Sequence, residues 1–97
     1  MSHSIVLRPR AEKAIDRAGG WYEDRNPRAA RAFLDAIEVV LEKVAENPYQ
    51  FPLIRRNLHR AFVSGFPYSL LFRLTESDVL VTNCVHFRRH PRHWRAE

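Results

Sequence analysis

The clearest periodicity in the chain lies between Asn26 and Asn47. Phe33, Leu34, Ile37, Val40, Leu41 and Val44 recur at three- and four-residue intervals, and Asp35, Glu38 and Glu42 fall between them. That spacing predicts one amphipathic helix with a single apolar face. Asn26-Pro27 gives it a start, with Asn as the cap and Pro at the first helical position, and Asn47-Pro48 gives it a stop. Upstream, Ala11, Ile15, Ala18 and Tyr22 repeat at helical spacing after Pro9 and predict a second helix. Gly19-Gly20 lies inside it, where each glycine costs about 1 kcal/mol relative to alanine. The pair either admits a neighbouring helix at close range or marks a kink. Two such helices meeting at Asn26-Pro27 predict an antiparallel hairpin.

The rest of the pattern has the shorter period of strands. Ser4 to Leu7 is a β-rich run ended by Arg8-Pro9. The stretch QFPLIRRN reads as a polar, proline-marked connection. Leu58–Val63, Tyr68–Leu74 and Val79–His86 read as strands, separated by turn residues at Ser64-Gly65-Phe66-Pro67 and Thr75-Glu76-Ser77-Asp78. The expected fold is therefore α+β and two-layered, in the order β-α-α-β-β-β, with the helical hairpin packed on an antiparallel C-terminal meander. The apolar positions of the second helix, with Leu70, Phe72, Val79, Val81 and Val85, are the expected core. At 97 residues the chain is the size of one small domain, residues 1–97.

Charge adds what periodicity does not. The net charge is +5, and it is unevenly spread. Residues 1–50 hold eight basic and eight acidic residues, whereas residues 51–97 hold eight arginines and three acids, so 8 − 3 = +5. Lys13 and Lys43 are the only lysines. Arginine forks suit carboxylates, phosphates and stacked rings, so the second half points to a polyanionic partner, nucleic acid or acidic protein. A single cysteine, Cys84, excludes an internal disulfide and fits a reducing cytoplasm. The N-terminus lacks a signal-peptide core and no run reaches membrane-spanning length, so a soluble cytoplasmic protein without membrane attachment is expected.

Candidate chemistry concentrates in VHFRRHPRHW, residues 85–94. His86, His90 and His93 invite a metal site, but Pro91 breaks the helical spacing and the adjacent arginines repel a cation, so no metal or other cofactor is expected. Cys84 reads as a buried, inert thiol in mid-strand. A metal-free ribonuclease would need a base, an acid and cations for the phosphorane. Arginine, histidine and tyrosine could supply these roles, and composition does not separate such a site from a basic binding rim.

Several motifs in order break that tie. Ala11, Ile15 and Trp21-Tyr22 lead into Ala30, Phe33 and Ile37 and close in Asn47-Pro48. Phe66-Pro67-Tyr68, SLLFRL and the closing Val85, His86, Arg88, Arg89, Pro91 and Trp94 follow. Over nearly its whole length the chain resembles the ParE/RelE superfamily of toxins from bacterial toxin–antitoxin systems, and within it the ParE-like plasmid stabilisation proteins. The resemblance implies a toxin neutralised by a cognate antitoxin with a DNA-binding domain, in a hetero-oligomer. For ParE-like members it implies DNA gyrase as target, and hence arrested replication without chemistry by the toxin. For RelE-like members it implies ribosome-dependent mRNA cleavage, here by Arg60, His86, Arg88, Arg89 and His90. Trp94 stands where that mechanism calls for a tyrosine, and tryptophan has no hydroxyl to give. The target-binding set implied is Arg56, Arg60, Arg88, Arg89, Arg92 and Trp94. The antitoxin is expected along the hairpin at solvent-facing Trp21 and Tyr22, and at Arg73.

Overall fold

The computed structural model describes residues 3–88. The elements are β1 (Ser4–Leu7), α1 (Pro9–Arg25), α2 (Pro27–Glu46), a 3₁₀ turn (Pro48–Gln50), β2 (Leu53–Arg55), β3 (Leu58–Phe62), β4 (Tyr68–Leu74) and β5 (Asp78–His86). They form a five-stranded sheet in the order β1-β5-β4-β3-β2, with the two helices on one face. The expected α+β class and helical hairpin are present.

The helix ends follow the local chemistry. Asn26 turns extended between the helices, and its side chain accepts a hydrogen bond from the Arg28 N–H at 3.0 Å, with Pro27 next in line. Asn47 repeats the device, accepting from the Tyr49 N–H at 3.2 Å before Pro48. The Gly19-Gly20 pair lies within a continuous α1. A methyl group built at Gly19 would meet Leu34 at an ordinary 3.9 Å, and one at Gly20 would meet nothing.

One feature departs from the sequence reading. The segment read as a polar connection contains β2, which forms a hairpin with β3. Asn57 at φ 50° supplies the left-handed residue that reverses the chain. Pro52 cannot donate, but its carbonyl accepts from the Arg60 N–H at 3.0 Å, so the proline sits at the strand's start, where it is tolerated. The pairing of β1, which the sequence reading left open, is parallel to β5, with Ser4–Leu7 beside Asp78–Val81. The β3–β4–β5 meander is antiparallel as expected. A bulge at Thr82 lets Leu71 pair with Asn83 and Phe72 with Val81.

The core lies between hairpin and sheet. Phe33, Ile37, Val40, Val44, Leu70, Phe72, Val79 and Val81 are buried there, as the periodicity predicts. Leu34, expected in the core, is 48% exposed, and Leu41 is only half-buried. Phe33, Ile37, Val40 and Val44 form the inner line of α2, and Leu34 and Leu41, seven residues apart, flank it. Val85 is buried on the opposite side of the sheet, with Leu58 and Leu71. Tyr22, Phe33, Phe66 and Tyr68 form an aromatic cluster with ring centroids 5.2–6.4 Å apart, tying α1, α2 and the β3–β4 turn together.

Phe33→Ala is expected to cost about 3–5 kcal/mol in urea unfolding, because it empties a fully buried site lined by the rings of Tyr22, Phe66 and Tyr68. Leu34→Ala is expected to stay within about 0.5 kcal/mol. Equal costs would show that Leu34 belongs to the core after all.

Candidate target-binding face

Register separates the sheet residues by face. Tyr68 packs against the helices, so its partner His86 also points to that side, and the two rings meet edge-on at 5.0 Å. One step along, Phe62, Ser69 and Val85 form a row on the outer face, followed by Arg60, Leu71 and Asn83. Leu58, Leu71 and Val85 are buried there, with Ile54 packed against them. Ser69 is fully buried, and its hydroxyl finds no hydrogen-bond partner among the described residues.

On this outer face, cations and rings alternate. The Arg60 guanidinium lies 4.6 Å over Phe62, Phe62 meets Phe87 edge-on at 5.3 Å, and Arg88 lies 5.9 Å from Phe87. Phe62 is 52% exposed, a large aromatic surface for a strand residue. Two predicted target-binding residues, Arg60 and Arg88, thus reach the same neighbourhood through a pair of phenylalanines. The sequence reading passed over Phe62 and Phe87. The signal was present, because strand alternation puts Arg60 and Phe62 on one face. Arg56 is exposed at the β2–β3 turn, and its carbonyl accepts from Arg73 Nη1 at 3.2 Å. Arg89, His90, Arg92 and Trp94 lie outside the described residues.

The remaining assignments fare differently. His86 faces the helices, away from Arg60, and His90, the other acid–base residue of the nuclease reading, lies outside the described residues. The Arg88 N–H donates to His86 Nδ1 at 3.3 Å. His59, buried, stacks on Phe72 at 4.9 Å and 6°, with its Nδ1 2.9 Å from the Phe51 carbonyl, a packing role. Of the antitoxin-contact residues, Trp21 is exposed, with the Arg25 guanidinium 3.9 Å over its ring. Tyr22 is not the solvent-facing ring expected. It is half-buried in the aromatic cluster, because it shares the inner face of α1 with Ile15 and Ala18. Arg73 is on the outer face, where its guanidinium also donates to the Asn57 carbonyl at 3.2 Å. These three residues therefore do not form one patch.

Among the described residues, no three His, Cys, Asp or Glu side chains converge as a metal ion would require. None of their helices is long and apolar enough to cross a membrane. Burial pushes the Cys84 thiol up to about 12, so it stays protonated and unreactive near neutrality.

The sequence matches the family described as "ParE toxin of type II toxin-antitoxin system, parDE" over residues 5–94. The chain belongs to the ParE toxin family. No curated protein matches it. Among solved structures, the chromosomal ParDE toxin–antitoxin system from P. aeruginosa aligns with a TM-score of 0.76 at 15% identity, covering 88% of this chain and 96% of that one. The RelBE2 toxin–antitoxin complex from Mycobacterium tuberculosis aligns at 0.63 and 16% identity, covering 89% of this chain and 99% of that one. At these identities both likenesses show the fold alone. The fold is thus shared with a ParDE and a RelBE2 structure, and the family rests on the sequence match over residues 5–94.

The raised Cys84 pKa has a testable sign. The folded state holds the thiol proton more tightly than the unfolded chain, so this contribution to stability is complete below pH 9.0 and is lost as pH rises toward about 12. Between those values the unfolding midpoint of the native sequence should fall further than that of Cys84→Ala. At pH 8, iodoacetamide should label Cys84 slowly when folded and readily in urea. Equal labelling rates in the two states would contradict the burial.

Proposed function

We propose that this ParE-family chain is the toxin of a type II pair, that it arrests growth by binding DNA gyrase through the outer face of its sheet, and that it does so without cutting nucleic acid. The carrying observation is the separation of Arg60 from His86 across the sheet. A phosphoryl-transfer site needs its cation and its acid or base around one scissile group. Among the described residues, the register sets Phe62, Leu71 and Asn83 beside Arg60 on the outer face. Exposed arginine and phenylalanine side by side are the residue types that anchor protein interfaces. The family's pairing with antitoxins supports a cognate, DNA-binding antitoxin that holds the toxin in a cytoplasmic hetero-oligomer until it is released.

Purified toxin in stoichiometric excess should inhibit gyrase supercoiling. Arg60→Ala with Phe62→Ala should weaken inhibition at least about tenfold, the size of an interface hot spot, with circular dichroism and melting little changed. Undiminished supercoiling at excess toxin would reject the target, and full potency in the double variant would reject the face.

A further inference from the structure

The hydrogen-bonding ladder of the sheet stops short on one side of β3. The Val63 N–H donates to the Tyr68 carbonyl at 2.9 Å, which marks a hydrogen-bonded pair at the end of the β3–β4 hairpin. In an antiparallel ladder such pairs alternate, so Phe62, opposite Ser69, turns its own N–H and C=O to the other side. β2 lies on that side but pairs only with Leu58 and His59. Its last rung is the Pro52 carbonyl, which accepts from the Arg60 N–H at 3.0 Å. Among the described residues no strand continues beside Phe62. The edge of β3 is therefore open at Phe62, which is itself exposed.

A groove of about 350 Å³ borders this open edge. α2 supplies Ala36, Val39 and Val40, and Phe51 and Phe62 line it from the sheet side. Positions 36, 39, 40 and 43 follow helical spacing, on the flank of α2 beside the core line of Phe33, Ile37 and Val44. Val39 is 47% exposed, so an apolar surface lies open there. Lys43 is the only charged residue among those described in the lining. Its stem can lie on the apolar wall while its ammonium stays in water. The volume is at the small end of ligand clefts and suits one or two side chains of a peptide.

We propose that the β3 edge at Phe62 and the groove along α2 receive an extended segment of the toxin's protein target, which adds to the sheet as a short strand. The residue of that segment opposite Phe62 exchanges hydrogen bonds with it and stands on the outer face, and the residues on either side turn toward α2. Those two are aliphatic, against Ala36 and Val39, and a carboxylate beyond them meets Lys43. Backbone pairing gives affinity, and the groove gives the preference for side chains. The proposal rests on the reading of the target as a protein bound at the outer face. Phe62 belongs to both surfaces, since it lies under Arg60 and lines the groove, so the added strand continues the proposed target interface.

The test uses a fluorescent octapeptide that alternates valine with threonine and ends in glutamate. It should bind the native chain in an anisotropy titration. Methylating its backbone nitrogens one at a time should weaken binding at least about tenfold at alternate positions and little at those between, the period of a paired strand. Val39→Asp should cost at least about tenfold in peptide affinity. Leu34→Asp, at a similarly exposed aliphatic position of the same helix, should cost little, and both variants should melt near the native temperature. As inhibitors of gyrase supercoiling, Val39→Asp should be at least about tenfold less potent and Leu34→Asp as potent as the native chain. No binding by the native chain, or losses without the alternation, overturns strand addition. A dimer in sedimentation that Val39→Asp disrupts makes a second copy the occupant and overturns the assignment to a target. Peptide binding lost in Val39→Asp with gyrase inhibition unchanged overturns it too. If the native chain binds the peptide but leaves supercoiling untouched, the gyrase reading falls and the groove stands.

Discussion

The contact on which the rest of the molecule depends is the aromatic cluster of Tyr22, Phe33, Phe66 and Tyr68. It joins one residue from each helix to the turn before β4 and to the strand itself. Each ring pair adds about 0.5–1.5 kcal/mol beyond the area it buries, and the area term is larger still. More important is the geometry it imposes. By fixing Tyr68 toward the helices, it sets the register of the whole meander. Ser69, Leu71 and Arg73 must then face outward, and so must Arg60 and Phe62 opposite them on β3. A slip of one residue would turn the arginines into the core. The basic outer face is thus a consequence of how the hairpin is fastened to the sheet.

That same constraint sets two of the candidate residues on opposite faces of the sheet. His86 is drawn to the helix side with Tyr68, while Arg60 remains outside. Two residues close in any list of candidate catalytic groups are kept apart by the thickness of a sheet. What is left outside is an alternation of guanidinium groups and phenyl rings. Such a surface offers flat apolar area bounded by fixed positive charge, which is suited to a protein partner bearing carboxylates. The strand period, rather than net composition, collects those cations.

The sequence made the helices legible because their signals are local. Asn26-Pro27 and Asn47-Pro48 are capping chemistry that the folded chain uses as written, and the four-residue spacing of Phe33, Ile37, Val40 and Val44 names the core line. Leu34 misled because a helix carries apolar residues on its flanks as well as on its buried edge. The parallel pairing of β1 with β5 was not legible, since strand partners are chosen by tertiary packing across the whole chain. β2 was hidden by Pro52 and by two arginines, although Asn57 held the clue to a tight reversal. Of the site, Arg60 and Arg88 were identifiable as cations, but Phe62 and Phe87 were not recognised as the surface that joins them. Tyr22 was identified as aromatic and misplaced, although its spacing from Ala11, Ile15 and Ala18 already set it on the apolar face of α1.

The central claim is that this toxin acts by binding a protein–DNA machine and not by cutting RNA. The order of events after induction tests it most directly, with thymidine incorporation and the 5′ ends of translated mRNA followed in the same culture. The account predicts that DNA synthesis stops first while mRNA ends stay unchanged. New codon-linked mRNA ends appearing before replication slows would contradict it.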